Sequence, residues 1–191
     1  LNINLNNLKI DGNLAIIDLK ASKLIAKLKS YFPLLKLPAF KNKSALSNLS
    51  LKSNFSIEPQ GFSKYFHILR VDDQMIEIES ETDLKLGTMK TYIHADSINL
   101  DKYSTQNTGD NSYEFLLSSM AIPSYIWKQK SVTEINVNKL ISGDILSENN
   151  LLLLENTRDV VKVVSLNTNI MGGDINGVGT FNLNSELDFN F

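Results

Sequence analysis

The stretch "SNLSLKSNFSIEP", residues 47–59, alternates apolar and polar side chains. Successive side chains of a strand point to opposite faces, so alternation of this kind indicates a strand with one apolar and one polar face. Ser, Lys and Asn occupy the positions between the apolar ones. The pattern is typical of an antiparallel sheet that keeps one face in water. The apolar set consists of Leu49, Leu51, Phe55 and Ile57.

The same alternation recurs along most of the chain and predicts a mainly β protein. In "LNINLNNLKIDGNLAIIDLKA", residues 1–21, the "DGN" at 11–13 predicts a hairpin turn between two strands. Further strands are predicted at about 65–71, 75–80, 83–87, 89–96, 132–138, 143–147, 150–155, 160–171, 174–183 and 186–190.

Two segments have helical spacing instead. "ASKLIAKLKSYFPLLKLP", residues 21–38, carries an apolar stripe opposite its lysines, with Ser22 as N-cap and Pro33 ending the first helical piece. This helix over 22–36 either faces the core, which we favour, or lies on a membrane surface. "AIPSYIWKQKS", residues 121–131, predicts a short helix started by Pro123. The stripe consists of Leu24, Ile25, Leu28, Tyr31 and Phe32.

These elements predict an α+β fold, mainly β with a few helices. We expect a curved, antiparallel, meandering sheet with the amphipathic helix packed against one face or end. At 191 residues the chain is expected to form a single domain, residues 1–191. The polar loop "STQNTGDNS", residues 104–112, is the best candidate for a boundary within it.

Composition excludes several classes of function. A net charge of −2 gives no basic face for nucleic acid, and the absence of cysteine excludes disulfides and thiolate metal sites. No run approaches the roughly 18–20 apolar residues of a membrane helix. The chain begins within an alternating pattern, so we expect it to be a piece of a longer protein, with any membrane anchor outside it.

Few residues suggest chemistry. A metal site would need the only two histidines, His67 and His94, to converge with Asp72, Asp73 or Asp96, but each histidine falls in a predicted strand without metal-ligand spacing. Solvent-exposed positions on strands are the favoured interpretation. The paired aspartates fit a hairpin turn between "FHILRV" and "MIEIES". No nucleophile motif is present, so we expect no catalytic residue, no metal and no cofactor.

The glycine-rich stretch "GGDINGVG", residues 172–179, resembles phosphate- and calcium-binding loops but lacks their remaining residues. Asp174 is its only carboxylate, which makes a poor calcium site. Gly172 and Gly173 are expected to form a tight turn. Gly177 and Gly179 lie two apart on one strand face, where they would permit curvature or close packing of another element.

The order of the motifs resembles the C-terminal region of the AsmA family over nearly the whole chain. A helix like "SKLIAKLKSYFPLLKLP" precedes the strand "ALSNLSLKSNFSI" and the strand–turn–strand "FHILRVDDQMIEIES". "TYIHADSINLDKY", with Asp101 and Tyr103, then leads into a variable loop. "IPSYIWKQKSVTEINVNKLI" and the glycine-rich hairpin "VVSLNTNIMGGDINGVGTFNLN" complete the order.

The resemblance implies a function. AsmA-like proteins are anchored in the bacterial inner membrane, project into the periplasm, and are implicated in outer-membrane assembly and lipid homeostasis. Their long sheets look like the grooves of bridge-type lipid-transfer proteins. It implies a non-enzymatic periplasmic module with phospholipid or another envelope lipid as its partner, and envelope assembly proteins as further partners. Asp101 and Tyr103 are expected to be structural.

A lipid groove needs a continuous apolar wall and no reactive group. The same alternation would equally serve an ordinary closed core, and an exposed strand edge would serve a scaffold for outer-membrane protein assembly. A hydrolase using Asp72 or Asp101 as acid has no motif to support it. The expected wall positions are Leu49, Leu51, Phe55, Ile57, Ile170, Phe181 and Leu183.

Overall fold

A computed structural model of the protein describes residues 9–20, 23, 24, 27, 31, 42, 44–103, 130–157 and 160–182. Nine strands form a single open sheet in which spatial order follows chain order. A short 3-10 helix, Leu100–Tyr103, follows the fifth strand. The strands are β1 (Ile10–Leu19), β2 (Leu49–Ile57), β3 (Phe62–Val71), β4 (Gln74–Asp83), β5 (Thr88–Asn99), β6 (Lys130–Ser142), β7 (Ile145–Thr157), β8 (Val160–Ile170) and β9 (Gly173–Asn182).

The sheet is mixed, because β5 and β6 are parallel while every other neighbouring pair is antiparallel. The expectation of an antiparallel sheet throughout is therefore wrong at this pair. Two-residue turns at Asp72-Asp73, Gly143-Asp144 and Met171-Gly172 join antiparallel neighbours. Parallel neighbours instead need a crossover of about a dozen or more residues. Among the connections between consecutive strands from β2 to β9, only the one between β5 and β6 is long enough for a crossover, because it contains residues 104–129.

The turn predicted at residues 11–13 is wrong, because β1 runs unbroken through Gly12. Gly12 pairs with Phe55 of β2, and a Cβ at residue 12 would collide with the Phe55 ring. The ring occupies the space that a side chain would take, which is a known way to accommodate glycine in a strand. Glycine at this position therefore allows the ring to lie flat across β1.

Two other predicted strand boundaries change. The strand expected at 83–87 is a turn over 84–87, where Asp83 Oδ1 accepts hydrogen bonds from the N–H groups of Lys85 and Leu86, and Gly87 has φ 60°. The strands expected at 143–147 and 150–155 are one strand, β7. Asn149 interrupts its alternation with φ 53°, a left-handed conformation that asparagine tolerates.

Burial in the described part of the chain is shallow. No large side chain there is less than 2% exposed, and the buried apolar residues are Ala45, Ala95, Val137 and Val161. The described residues are thus mostly β and form one layer, and no second layer is described against either face.

The predicted helix over 22–36 is described only in part. Lys23, Leu24, Lys27 and Tyr31 have helical backbone, and the side chains of Leu24 and Tyr31 are 45% and 68% exposed. The rest of this helix lies outside the described residues, as do the helix expected at 121–131 except for its last two residues, the loop 104–112 and the strand expected at 186–190. Within the described segments, no helix has the length and apolar character that crossing a membrane requires.

Candidate functional site

Two rows of mainly apolar side chains cross the sheet on one face, which we call the apolar face. The register joins each residue to its partner on the next strand, so the members of a row share a face. The first row consists of Ile16, Leu51, Leu69, Ile76, Ala95 and Val137. The second row consists of His67, Ile78, Ile93, Ile135, Leu152 and Leu166.

Most of the expected wall positions lie on this face. Leu49, Leu51, Phe55 and Ile57 are half-buried members of β2, paired with β3 residues of the same face. Ile170 is a half-buried residue of β8. The backbone of residue 181 pairs with that of residue 161, but the side chain of Phe181 and all of Leu183 lie outside the described residues.

The apolar face also carries a patch of hydroxyl groups, which the alternation did not distinguish from exposed polar positions. Ser80, Thr91 and Thr133 are consecutive partners on β4, β5 and β6. The hydroxyl oxygens of Ser80 and Thr91 are 3.3 Å apart and share a hydrogen bond. Because Ser80 and Thr91 hydrogen bond across the strands, their hydroxyl groups are satisfied on a face that is mainly apolar.

The opposite face, the polar face, carries charged residues in cross-strand pairs. Glu81 lies 2.8 Å from Lys64, and Asp96 accepts a hydrogen bond of 3.0 Å from Asn138. The Lys64 and Glu81 side chains are 60% and 40% exposed, and ion pairs this open to water stabilise a protein little. These pairs are solvated, but the same face also carries half-buried apolar side chains, among them Phe66 and Ile68 of β3 and Leu151 and Leu153 of β7.

One end of the sheet is held by a hydrogen-bonded cluster around the Asp72 carboxylate, which we call the Asp72 cluster. Asp72 lies in the β3–β4 turn with φ 56°, a conformation that aspartate tolerates. Its carboxylate accepts hydrogen bonds from the N–H groups of Leu46 and Asn48, each at 3.0 Å, and from the Ser47 hydroxyl at 2.9 Å. The Tyr103 hydroxyl lies 3.1 Å from Asp72 Oδ2 and completes the set.

This environment shifts two pKa values. Partial burial alone would raise the pKa of the Asp72 carboxyl, but the hydrogen bonds from Asn48, Ser47 and Tyr103 outweigh it and lower the pKa. Burial, reinforced by the negative charge of Asp72, raises the pKa of Tyr103 to about 12. Asp72 is thus held ionised and Tyr103 neutral near pH 7, so neither is poised to transfer a proton there.

Further bonds extend from this cluster across the end of the sheet. Buried Gln74 accepts the N–H of Asn99 at 3.0 Å and donates to the Tyr103 hydroxyl at 3.2 Å. Lys102 forms an ion pair with Asp73, 2.6 Å from its Oδ2. Asp101 Oδ1 accepts the N–H of Gly143 at 2.7 Å. Asp101 and Tyr103 thus connect the end of β5 to two different hairpin turns.

The two histidines do not meet. His67 lies on the apolar face and stacks beside Tyr65, with 6.1 Å between ring centroids. His94 lies on the polar face, 3.6 Å from Asp96. Across the described ranges, no group of three or more His, Asp or Glu side chains is placed to hold a metal ion.

The glycine-rich hairpin has two parts. Met171 and Gly172, with φ 53° and 82°, form the two-residue β8–β9 turn, and Gly173 begins β9. Gly177 and Gly179 lie beside a bulge at which the register of β8 shifts between Val163 and Leu166. A Cβ at Gly177 would be 3.7 Å from Leu166, and at Gly179 it would meet nothing within 4 Å. No described residue therefore packs closely on these glycines, and they are placed at a bulge instead.

Comparison with protein-family models, curated proteins and solved structures found no match to this chain.

Proposed function

We propose that the apolar face binds the acyl chains of a phospholipid or another envelope lipid. The chain would then be a non-enzymatic module of an AsmA-like protein, involved in outer-membrane assembly or lipid homeostasis. In this proposal it lies in the periplasm and is held at the inner membrane by a segment outside this sequence. The observation that carries the lipid-binding proposal is the pair of apolar rows, whose large side chains are half-buried rather than enclosed.

The geometry of these rows fits an elongated apolar ligand. Neighbouring strands lie about 4.8 Å apart, so the four strands from Ile16 of β1 to Ile76 of β4 extend about 14 Å across the sheet. Burying an acyl chain contributes about 0.8 kcal/mol per methylene group, so several methylene groups on this surface would support measurable binding. Backbone groups beneath the ligand are paired in the sheet ladders and need no solvent.

The finer architecture belongs to the same proposal. We expect the sheet to curve around its ligand, with the amphipathic helix over 22–36 packed against one face or end. The helical backbone at Lys23, Leu24, Lys27 and Tyr31 supports the presence of that helix. The exposure of Leu24 and Tyr31 leaves apolar surface on it that a lipid or membrane could cover.

A second candidate is a scaffold for envelope assembly proteins. β1 and β9 are the edges of the described sheet, and each carries a strongly exposed apolar residue, Ile17 at 67% and Val178 at 70%. Free backbone donors and acceptors along an edge accept an added strand from a partner. In that case the specific partner would be a polypeptide and the apolar face would serve only as core.

The test compares two neighbouring residues of β2. Leu51 points to the apolar face, and Lys52 points to the polar face. We expect the purified chain to bind a phospholipid that carries a fluorescent acyl chain. Leu51→Gln should weaken this binding about tenfold, which corresponds to about 1.4 kcal/mol, while Lys52→Gln should leave it unchanged. Circular dichroism of both variants controls for folding.

Absence of lipid binding by the wild type, or equal effects of the two variants, would contradict the proposal. If Leu51→Gln unfolds the chain, Leu69→Gln and Arg70→Gln form a second matched pair on β3, again one on each face. Capture of an added strand at β1 or β9 without lipid binding would favour the scaffold.

A further inference from the structure

The parallel pairing of β5 and β6 determines where the chain between them must travel. It leaves β5 through the 3-10 helix that ends at Tyr103, and it re-enters at Lys130, which pairs with Thr88 at the other end of β5. The return covers the length of β5, about 36 Å at 3.3 Å per residue. Residues 104–129 reach about 86 Å when extended, so they can return over either face. Which face they cross depends on the handedness of the connection.

The β3–β4 hairpin orients the sheet. Its two-residue turn is closed by Val71 and Gln74, which both lie on the apolar face and, as the closing pair, exchange both backbone hydrogen bonds. Consider a strand that runs upward, from its N-terminus to its C-terminus, in the view. An L-residue whose side chain points toward the viewer then directs its backbone N–H and C=O groups to the right. Seen from the apolar face with β3 upward, β4 therefore lies to the right of β3.

The β8–β9 hairpin gives the same result independently. Thr168 lies on the apolar face, because its hydroxyl is 2.6 Å from the side chain of Asn150, the partner of Val137. Ile170, two residues on, shares that face and closes the turn with Gly173. β8 is parallel in direction to β3, so β9 lies to the right of β8 in the same view. Because spatial order follows chain order, β6 lies to the right of β5, and both point upward.

In this view a connection that passes in front of the sheet is right-handed, and one that passes behind it is left-handed. Crossovers between parallel strands of one sheet are almost always right-handed. We propose that residues 104–129 cross the apolar face over β5 and β6, so that this part of the face is covered by the chain's own segment. The stretch "FLLSSMAIPSYIW", residues 115–127, has the apolar composition that such contact requires.

Ala95 of β5 and Val137 of β6 are buried, as the crossing requires of residues beneath it. Burial on the apolar face also extends to Ser53 of β2 and Val161 of β8, so the handedness of the connection, and not burial, carries the placement. The proposal does not depend on lipid binding. It does imply that a lipid would have to occupy the apolar face over β1–β4 or over β7–β9, on either side of the crossing segment.

Site-specific photo-cross-linking on the full chain tests this. A benzophenone amino acid replaces Ile93, on the apolar face of β5, or its neighbour Tyr92, on the polar face. After irradiation and proteolysis, mass spectrometry identifies the linked peptides in the monomeric fraction. We expect Ile93 to link to peptides from residues 104–129 and Tyr92 to form no such link.

The proposal is overturned if Tyr92 forms these links and Ile93 does not, since the crossover would then be left-handed. It is also overturned if Ile93 links only to a co-purified lipid or to a second polypeptide, or forms no link. Thr133 and Glu134 are a second pair, one on each face of β6, for use if the Ile93 variant does not fold. Lipid binding at Leu51 is measured separately, so failure of one proposal is distinguishable from failure of the other.

Discussion

The Asp72 cluster and the apolar rows belong to the same sheet but are stabilised in opposite ways. In the cluster, the Asp72 carboxylate accepts hydrogen bonds from Leu46, Ser47, Asn48 and Tyr103. One side chain thus connects three segments, namely the β3–β4 turn, residues 46–48 and the 3-10 helix. In the rows, each side chain contributes a share of an extended apolar surface. Directional bonds thus define one end of the sheet, while the face is defined by pattern alone.

The difference predicts where single substitutions matter. A residue whose hydrogen bonds have no substitute is costly to remove, because its partly buried donors are left unpaired. Truncating a residue that contributes only apolar area costs the free energy of that residue's own contacts plus a small cavity term. The largest effects on stability should therefore fall in the cluster, and those on lipid binding should fall on the face.

The largest expected effect is that of Asp72→Ala. Loss of the carboxylate leaves the donors of Leu46, Ser47 and Asn48 unpaired, and alanine is less tolerant of φ 56°. We expect a loss of about 2–4 kcal/mol in the free energy of unfolding, measured by urea denaturation. Asp73→Ala, which removes only a largely exposed partner of Lys102, should cost less than about 1 kcal/mol. Similar costs for the two variants would contradict the role given to the cluster.

Gly12→Ala should come next. The added Cβ would collide with the Phe55 ring, which must move, and overpacking of this kind typically costs about 1–3 kcal/mol. Gly177→Ala is the control, since its Cβ would make an ordinary contact of 3.7 Å with Leu166. Thermal unfolding of both variants measures the difference. If Gly12→Ala were as stable as the wild type, the ring would not be held over residue 12.

The pH dependence of stability should depend on Tyr103. Its pKa is raised to about 12 in the folded chain, against about 10 in an unfolded one. The stability that neutral Tyr103 contributes is therefore present below pH 10 and lost as the pH rises toward 12. We expect the stability difference between wild type and Tyr103→Phe to shrink from pH 8 to pH 11. A difference that stays constant over this range would rule out the contact between the Tyr103 hydroxyl and the Asp72 carboxylate.

The smallest effect is expected at the bulge between β8 and β9. Gly179→Val adds a side chain where a Cβ meets nothing within 4 Å, and Gly177→Val meets Leu166 at an ordinary distance. Both variants should lie within about 0.5 kcal/mol of the wild type in urea unfolding, or be slightly more stable, because β-branched residues suit strands. A loss above about 1 kcal/mol in either variant would indicate that another part of the chain packs on this position.

Alternation was a reliable guide wherever side chains on one face are paired across strands. It placed Leu49, Leu51, Phe55 and Ile57 on one face, because a period of two requires only local backbone geometry. It failed at Gly12. Glycine there indicates a turn, but the position lies within β1 and has no room for a side chain because of the Phe55 ring, more than forty positions away. No local signal carries that kind of information.

In the Asp72 cluster, too, local features could be predicted from the sequence and long-range contacts could not. The prediction of a hairpin turn at Asp72-Asp73 is confirmed, since turn residues act locally. The partners of Asp72 at Leu46, Ser47 and Asn48 are more than twenty residues away, and nothing in their local pattern predicts the contact. The parallel β5–β6 pair could not be predicted either, because alternation is the same in parallel and antiparallel strands and does not specify the direction of a neighbour.

Analysis of lipids that co-purify with the wild-type chain tests the central claim, that the apolar face is a lipid-binding surface. The protein is purified without detergent, extracted with organic solvent, and its lipids are quantified by mass spectrometry beside Leu51→Gln and Lys52→Gln. The account predicts phospholipid in stoichiometric amount on the wild type and on Lys52→Gln, and a clear reduction on Leu51→Gln. Lipid-free protein, or equal lipid on all three chains, would contradict it.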